Sequence, residues 1–370
     1  LTGSYPHSHG LKRNVYPHSP GPSNSTDSEP IIDPFRDQRF RLWDNFVFYL
    51  NNAGYATGHI GKWHLGPANP GFFDYWKSFN SLLLHWIGEP HKSRYRPDVH
   101  TDQGVQFIRD HADEPFFLYQ SYYSPHEPSD PPKHFLDRYQ GQSNAGYYGS
   151  VTALDWNVGR ILDTLREQNI LDDTMIIFST EHGRAWTDRP GTVEGMCTAY
   201  DDAARIPLMI RYPKRLPAGK VWQSGVSLVD LMPTILDAAG VMPIMGAHGN
   251  DLRPVVHGRS LLAEVNAGRD DWNRPIMIQN VPQRAIGGAY FDERALRTER
   301  HKIILRKFDS RPVLRPGELY DMKADPGETR NLWDSARPTV KQMADLMAEW
   351  GAKYKDELSI ELGRWAGEQG

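Results

Sequence analysis

The chain has 370 residues, of which 39% are hydrophobic and 24% charged, and a formal net charge of -4. That balance suits a globular chain with enough apolar residues for one large core or two domains, and it excludes the strongly basic surface expected of a general nucleic-acid or membrane-surface binder. No apolar run approaches the roughly 20 residues of a membrane-spanning helix, and the single cysteine, Cys197, allows no internal disulfide and leaves the redox compartment open.

The first residues, Leu1-Thr2-Gly3-Ser4-Tyr5-Pro6-His7-Ser8-His9-Gly10, carry two histidines that read as loop residues at the rim of a site rather than as metal ligands. No targeting segment is visible, and the chain does not begin with Met. Tyr16 to Pro34 is rich in Pro, Ser, Asn and Asp and reads as an irregular loop. Phe40 to Asn52 places Leu42, Phe46, Val47 and Leu50 on one helical face, and Gly54 stands where a helix C-terminal glycine belongs. Tyr55 to Ile60 then predicts a strand bracketed by Gly54 and Gly61. Lys62 and His64 lie two residues apart beyond it. In extended backbone they would face one small space, a pairing that suits an anionic oxygen cluster.

Gly71 to Pro97, with Trp76, Trp86 and Tyr95, reads as an irregular aromatic segment of the kind that shapes a pocket or packs a loop. A short helix is expected over Asp102 to Asp110. Phe116 to Tyr122 reads as a strand buried on both faces, as in a parallel sheet. His126, between Pro125 and Pro128, follows at the carboxyl end of that strand, where open α/β sheets place ligands. Ala145 to Asn169 is a helix with Val151, Leu154, Val158, Ile161, Leu162 and Leu165 on one face. Thr174 to Ser179 is a second buried strand, with Glu181-His182-Gly183 at its tip, and Leu208 to Ile210 is a third. Leu228 to Ala239 is a helix ended by Gly240, and Val241 to Gly258 is a loop without evident chemistry. From about Trp272 the pattern changes. Pro275 to Gln279, Arg294 to Thr298 and Lys302 to Arg306 are short strands at close spacing, as in a small antiparallel sheet, and Val340 to Tyr354 is a terminal helix. There are no internal repeats.

The string Gly54-Tyr55-Ala56-Thr57-Gly58-His59-Ile60-Gly61-Lys62-Trp63-His64-Leu65-Gly66 closely resembles the second signature of the sulfatases. Leu1 to Gly10 resembles the tail of their first signature, which opens with Cys or Ser, then x-Pro-Ser-Arg. The opening residue becomes formylglycine, the nucleophile. Because the chain starts just downstream, the resemblance implies that the nucleophile, its supporting Arg and a strand bearing a metal-binding Asp pair are missing, and that the chain as given is inactive. Gly195-Met196-Cys197-Thr198-Ala199-Tyr200-Asp201 to Pro207 resembles Gly-Lys-x-Thr-x-Tyr-Glu-x-x-x-Arg-Val-Pro, with Met196 in place of a sulfate-binding Lys. Arg184 or Arg189 is a candidate for that charge. Cys197 reads as a packing residue. Glu318-Leu319-Tyr320-Asp321, Asp325-Pro326-Gly327-Glu328 and Asn331-Leu332 resemble the family's C-terminal motif.

The resemblance covers nearly the whole chain. It implies an α/β, alkaline-phosphatase-like fold, with a catalytic domain over 1–270 and an α+β subdomain over 271–370, and strand-then-helix order supports that class independently. It implies sulfate ester hydrolysis in which a formylglycine hydrate attacks sulfur and gives a covalent sulfo-enzyme, with Ca²⁺ polarising the sulfate oxygens. By carry-over Lys62 and His126, with Arg184, bind the sulfate, His64 hydrogen-bonds the formylglycine, and Glu181 and His182 hold the Ca²⁺, Glu181 standing where the family has Asp. The implied partner is a small-molecule or carbohydrate sulfate ester. A phosphonate or phosphate ester hydrolase of the same fold, or a non-catalytic anion-binding relative, is the alternative.

Overall fold

The computed structural model describes residues 1–9, 45–65, 69–79, 85–87, 94–185, 198–241, 256–272, 274–280, 291–308 and 317–369. They group into two compact units. The first holds Leu1, the described residues from 45 to 174 and a short stretch from Ala239. The second holds Thr2 to His9, with the short helix α1 (Pro6–His9), and the remainder. This is a different partition from the 1–270 and 271–370 domains expected from motifs.

In the first unit α2 (Phe46–Asn52) starts at Asn45, whose side-chain oxygen accepts the Phe48 N–H at 3.0 Å and so satisfies a donor that the helix itself cannot. It buries Phe46, Val47, Tyr49 and Leu50. Gly54, at φ +86°, turns the chain into β1 (Ala56–Lys62). β1 lies between β2 (Tyr75–Phe79) and β5 (Phe116–Ser121), parallel to both. Two glycines make this possible. A Cβ on Gly58 would come within 2.8 Å of the Phe107 ring, and one on Gly61, at φ +103°, within 1.8 Å of the Ser121 carbonyl oxygen. Thr57 is fully buried, and both its N–H and its hydroxyl donate to Asp74 Oδ2 at 2.9 Å, pinning the turn into β2.

β3 (Trp86–Ile87) and β4 (Arg94–Tyr95) form a short antiparallel ladder leading into α3 (Arg96–Asp110). Pro97 stands in the first turn of α3, where its missing N–H costs nothing. α4 (Lys133–Leu136) precedes α5 (Ala145–Glu167), which packs on α3. Three expectations are corrected here. The segment after Gly71 is not wholly irregular, because β2 pairs with β1. The helix expected from Asp102 begins at Arg96. β5 is not buried on both faces, for it leaves Tyr119 42% exposed, and among the described residues it is an outer strand of its three-stranded sheet.

In the second unit β6 (Ile176–Ser179) pairs antiparallel with β7 (Leu208–Arg211), and α6 (Asp201–Ala204) precedes β7. Phe178 and Met209 face each other across this ladder and are both exposed, so β6 is not the buried strand its apolar sequence suggested. α7 (Leu231–Ala239) is entered through a single 3-10 turn at Leu228–Asp230, where Ser227 and Asp230 form a reciprocal capping box. α8 (Leu261–Asn266) is capped by Ser260. β8 (Ile276–Asn280), β9 (Phe291–Arg297), β10 (His301–Phe308) and β11 (Glu318–Asp321) form an antiparallel sheet in the order β11-β10-β9-β8. Leu296, Ile303, Leu305 and Leu319 from this sheet share a core with Met343, Ala344 and Met347 of α9 (Arg337–Tyr354) and Leu362 of α10 (Glu357–Gln369). α10 was not anticipated. Lys355, at φ 61°, makes the turn that returns it against α9.

Candidate active site

Lys62, His64 and His126 belong to the first unit, and Glu181, His182 and Arg184 to the second. In the first unit the pairing of Gly61 with Ser121 aligns the ends of β1 and β5. It carries Lys62 to the two residues that follow Ser121, and the Lys62 ammonium rests 5.4 Å from the centroid of the Tyr123 ring. The His126 imidazole stacks on that same ring at 4.5 Å and 19°. Lys62 and His126, 64 positions apart in sequence by their numbers, are therefore brought to one aromatic side chain. His64 lies two residues past the end of β1 and is half-buried.

The loop carrying His126 is held from several sides. The His85 ring, 2% exposed, donates through Nε2–H to the His126 carbonyl at 2.6 Å and stacks on Tyr123 at 5.2 Å. Tyr95 shares a hydrogen bond with Ser124 at 3.2 Å, and the Trp86 indole donates to the Asp130 carbonyl at 2.9 Å. His126 itself donates through Nδ1–H to the Glu127 carbonyl at 2.8 Å. That commitment leaves Nε2 as the ring's other nitrogen. Burial pushes the His85 imidazole below its ordinary value, so it stays neutral, as a ring donating to a carbonyl from one nitrogen can be. Tyr123 and His85 were not picked out from the sequence. Tyr123 falls just past the strand read over Phe116 to Tyr122, and His85 lies 41 residues from the carbonyl it holds, so no local signal marks it.

In the second unit Glu181 and His182 occupy the turn after β6. His182 donates through Nδ1–H to the Gly183 carbonyl at 2.8 Å, and its Nε2 lies 3.7 Å from Glu181 Oε1. That bond leaves His182 Nε2 as the ring's remaining nitrogen, beside the exposed Glu181 carboxylate. Ca²⁺ takes six to eight oxygen ligands, roughly. No group of three or more His, Cys, Asp or Glu side chains converges as a metal site among the described residues. Glu181 and His182 alone therefore do not make a calcium site. Gly183 is explained by packing. Its N–H donates to the Ala203 carbonyl at 2.7 Å, and a Cβ there would come within 2.4 Å of the Asp202 carbonyl oxygen. Arg184 follows on the same turn and is half-buried. Arg189, Met196 and Cys197 lie outside the described residues, as does the loop from Tyr16 to Pro34.

α6 is fixed behind that turn by a buried charge cluster. Lys302 is fully buried on β10, and its ammonium donates to Asp201 Oδ1 at 2.7 Å and lies 2.8 Å from Glu328 Oε1. Glu328 Oε2 also accepts the Asp201 N–H at 2.7 Å. Burial raises the Glu328 carboxyl above its ordinary value despite the Lys302 charge that works to lower it. The remaining motif residues are turn builders. Asp321 accepts the N–H groups of Lys323 and Ala324, Asp325 those of Thr329 and Arg330, and Asn331 those of Leu319 and Trp333. His7 is not a ligand either. It donates to the Tyr354 carbonyl and accepts from Gln279, both at 2.9 Å, within a short helix rather than a loop.

Comparison with known proteins gives a consistent result. A family model described as Sulfatase matches residues 1–241, and one described as N-sulphoglucosamine sulphohydrolase, C-terminal, matches residues 196–353. Over 223 residues the chain is 31% identical to N-acetylglucosamine-6-O-sulfatase of Bacteroides thetaiotaomicron, covering 57% of this chain and 36% of the relative. Over 309 residues it is 28% identical to N-acetylgalactosamine-6-sulfatase of Canis lupus familiaris, covering 70% of this chain and 56% of the relative. The chain thus spans between about a third and somewhat over half of the length of these relatives. Among solved structures, a putative sulfatase from Bacteroides fragilis superimposes with a TM-score of 0.75 at 20% identity, over 98% of this chain and 85% of the other. A protein solved with its substrate D-glucosamine-2-N,6-O-disulfate does so with a TM-score of 0.71 at 21% identity, over 96% and 87%.

Proposed function

Since this chain belongs to the sulfatase family, we propose that it serves sulfate ester hydrolysis, with Lys62 and His126 holding the sulfate group of a small-molecule or carbohydrate ester. The observation that carries this is the meeting of the Lys62 ammonium and the His126 imidazole at the Tyr123 ring. An ammonium offers a compact charge and three rotatable donors to sulfate oxygens. His126 adds a directed donor. Because its Nδ1–H is given to Glu127, Nε2 donates to a sulfate oxygen only when the ring carries its second proton. The sulfated sugars acted on by the relatives point to a carbohydrate ester.

The family's formylglycine supplies the nucleophile towards sulfur, and its calcium ion offsets charge on the sulfate oxygens. The chain's own residues bind and orient the ester. In this reading His64 faces the nucleophile, Arg184 adds positive charge, and Glu181 and His182 contribute two metal donors that need further ligands. The catalytic domain is proposed as 1–270, with 271–370 as its subdomain.

The test is calorimetric titration of inorganic sulfate and phosphate into the 370-residue chain, alongside turnover of an aryl sulfate and the aryl phosphate of the same phenol. Sulfate binding lost in Lys62→Ala and in His126→Ala supports the reading. Preference for the phosphate in both assays would assign the chain to the phosphate or phosphonate ester hydrolases instead. Sulfate binding that persists in both Lys62→Ala and His126→Ala overturns the reading.

A further inference from the structure

Resting on the reading of Lys62 and His126 as the sulfate-holding pair, we propose that Tyr123 is a positioning residue of the pocket. Its ring is the platform that orients the Lys62 ammonium and the His126 imidazole, and His85 is the buttress that fixes the platform and the loop above it.

The geometry is specific. Tyr123 is 6% exposed, and four groups among the described residues are arranged about its ring. The Lys62 ammonium stands 5.4 Å from its centroid, and the His126 imidazole is stacked at 4.5 Å. The His85 imidazole is stacked at 5.2 Å, and Phe79 packs edge-on at 5.8 Å and 89°. Phe79 and His85 stop the ring from turning away. His85 acts twice, since it also donates to the carbonyl of His126 itself. It thereby fixes the backbone of the residue whose ring Tyr123 fixes. The ring face is negative, so it attracts the Lys62 ammonium, and its flat surface seats the His126 imidazole by stacking. An anion then meets two side chains that the ring has already ordered. Only the Tyr123 ring is required for this role, and its hydroxyl is not.

The experiment uses the whole chain. Tyr123→Phe keeps the ring, whereas Tyr123→Leu keeps apolar bulk and removes it. Sulfate affinity is measured by calorimetry for the wild type, both Tyr123 variants, His85→Gln, His85→Ala, Lys62→Ala and His126→Ala. Having to order two side chains that the ring no longer holds corresponds to an affinity loss of about 5- to 150-fold in Tyr123→Leu. Tyr123→Phe is expected within about 2-fold of the wild type on the same basis, because a phenyl face also attracts cations. His85→Gln, whose amide can still donate to the His126 carbonyl, is expected to bind more tightly than His85→Ala.

An unchanged affinity in Tyr123→Leu, or equal losses in Tyr123→Phe and Tyr123→Leu, overturns the platform. A wild-type measurement guards against a variant that fails to fold. Nuclear Overhauser effects from the Tyr123 ring to both the His126 ring protons and the Lys62 side-chain methylenes are expected, and their absence overturns the proposal without any substitution. The two failures are distinguishable. If sulfate binding is absent, or indifferent to Lys62→Ala and His126→Ala, the reading of the pocket falls and the platform with it. If those two variants lose binding and Tyr123→Leu does not, only the platform falls.

Discussion

Lys302→Met replaces a fully buried ammonium with an apolar side chain of similar length, and it leaves Glu328 and Asp201 facing one another without their cation. Glu328 is 3% exposed, so its carboxylate cannot recover the loss from water. Breaking a buried pair from one side typically costs about 3–5 kcal/mol. The structure also sets a ceiling, because Glu328 can escape by taking a proton. From its ordinary value of 4.5, protonation at pH 7 costs about 3 kcal/mol, and at pH 5 below about 1 kcal/mol. Burial already raises this carboxyl in the wild type, and removing Lys302 raises it further. A carboxyl raised in the folded state binds its proton more tightly there than in the unfolded chain. The stability deficit is therefore small near pH 4.5 and grows as pH rises. Urea denaturation of wild type and Lys302→Met at pH 5 and pH 7 measures it. The variant is expected to lose about 3 kcal/mol at pH 7 and most of that difference is expected to vanish at pH 5. Lys302→Met combined with Glu328→Gln is expected to recover much of the loss at pH 7. A deficit that is the same at both pH values, or below about 1 kcal/mol at pH 7, would refute an uncompensated Glu328 carboxylate as the cause.

Gly61→Ala forces a Cβ to within 1.8 Å of the Ser121 carbonyl at φ +103°, so thermal unfolding is expected to show a loss of more than about 1 kcal/mol. A neutral result would mean that β1 and β5 do not approach this closely. The Asp356 carboxyl is opposed by burial but held below its ordinary 3.8 by Arg294 and Ser359, so its contribution is present above that value and fades as pH falls through its folded value. Asp356→Asn is expected to flatten the acid limb of the stability curve, and an acid limb that remains as steep in denaturant titrations contradicts this. Calcium titrated into the chain is expected to bind more weakly than micromolar, because Glu181 and His182 gather no third side chain of their kind among the described residues. Calorimetry showing micromolar affinity lost in Glu181→Gln would point to ligands beyond these.

Apolar stripes at helical spacing placed α2, α5 and α7, because such a stripe has few ways to leave water, and short runs at close spacing placed three of the four strands of the C-terminal sheet. The family motif around Lys62 was equally legible, and the structure supplies its reason. Gly58 and Gly61 admit Phe107 and Ser121, and Thr57 binds Asp74. What local sequence could not carry was anything that depends on a distant neighbour. β5 and β6 read as strands buried on both faces, yet Tyr119 and Phe178 are exposed, since burial is set by what packs alongside and not by the strand's own side chains. Glu328 and Asp201 read as motif letters, and only the fold of the second unit brings Lys302 between them. Lys62 and His126 could each be singled out as anion-binding residues from where their strands end. That they meet at Tyr123, with His85 holding the loop from 41 residues away, was decided by the parallel register of β1 on β5. A shift of one residue in that pairing would turn alternate side chains to the other face of the sheet and separate the pair.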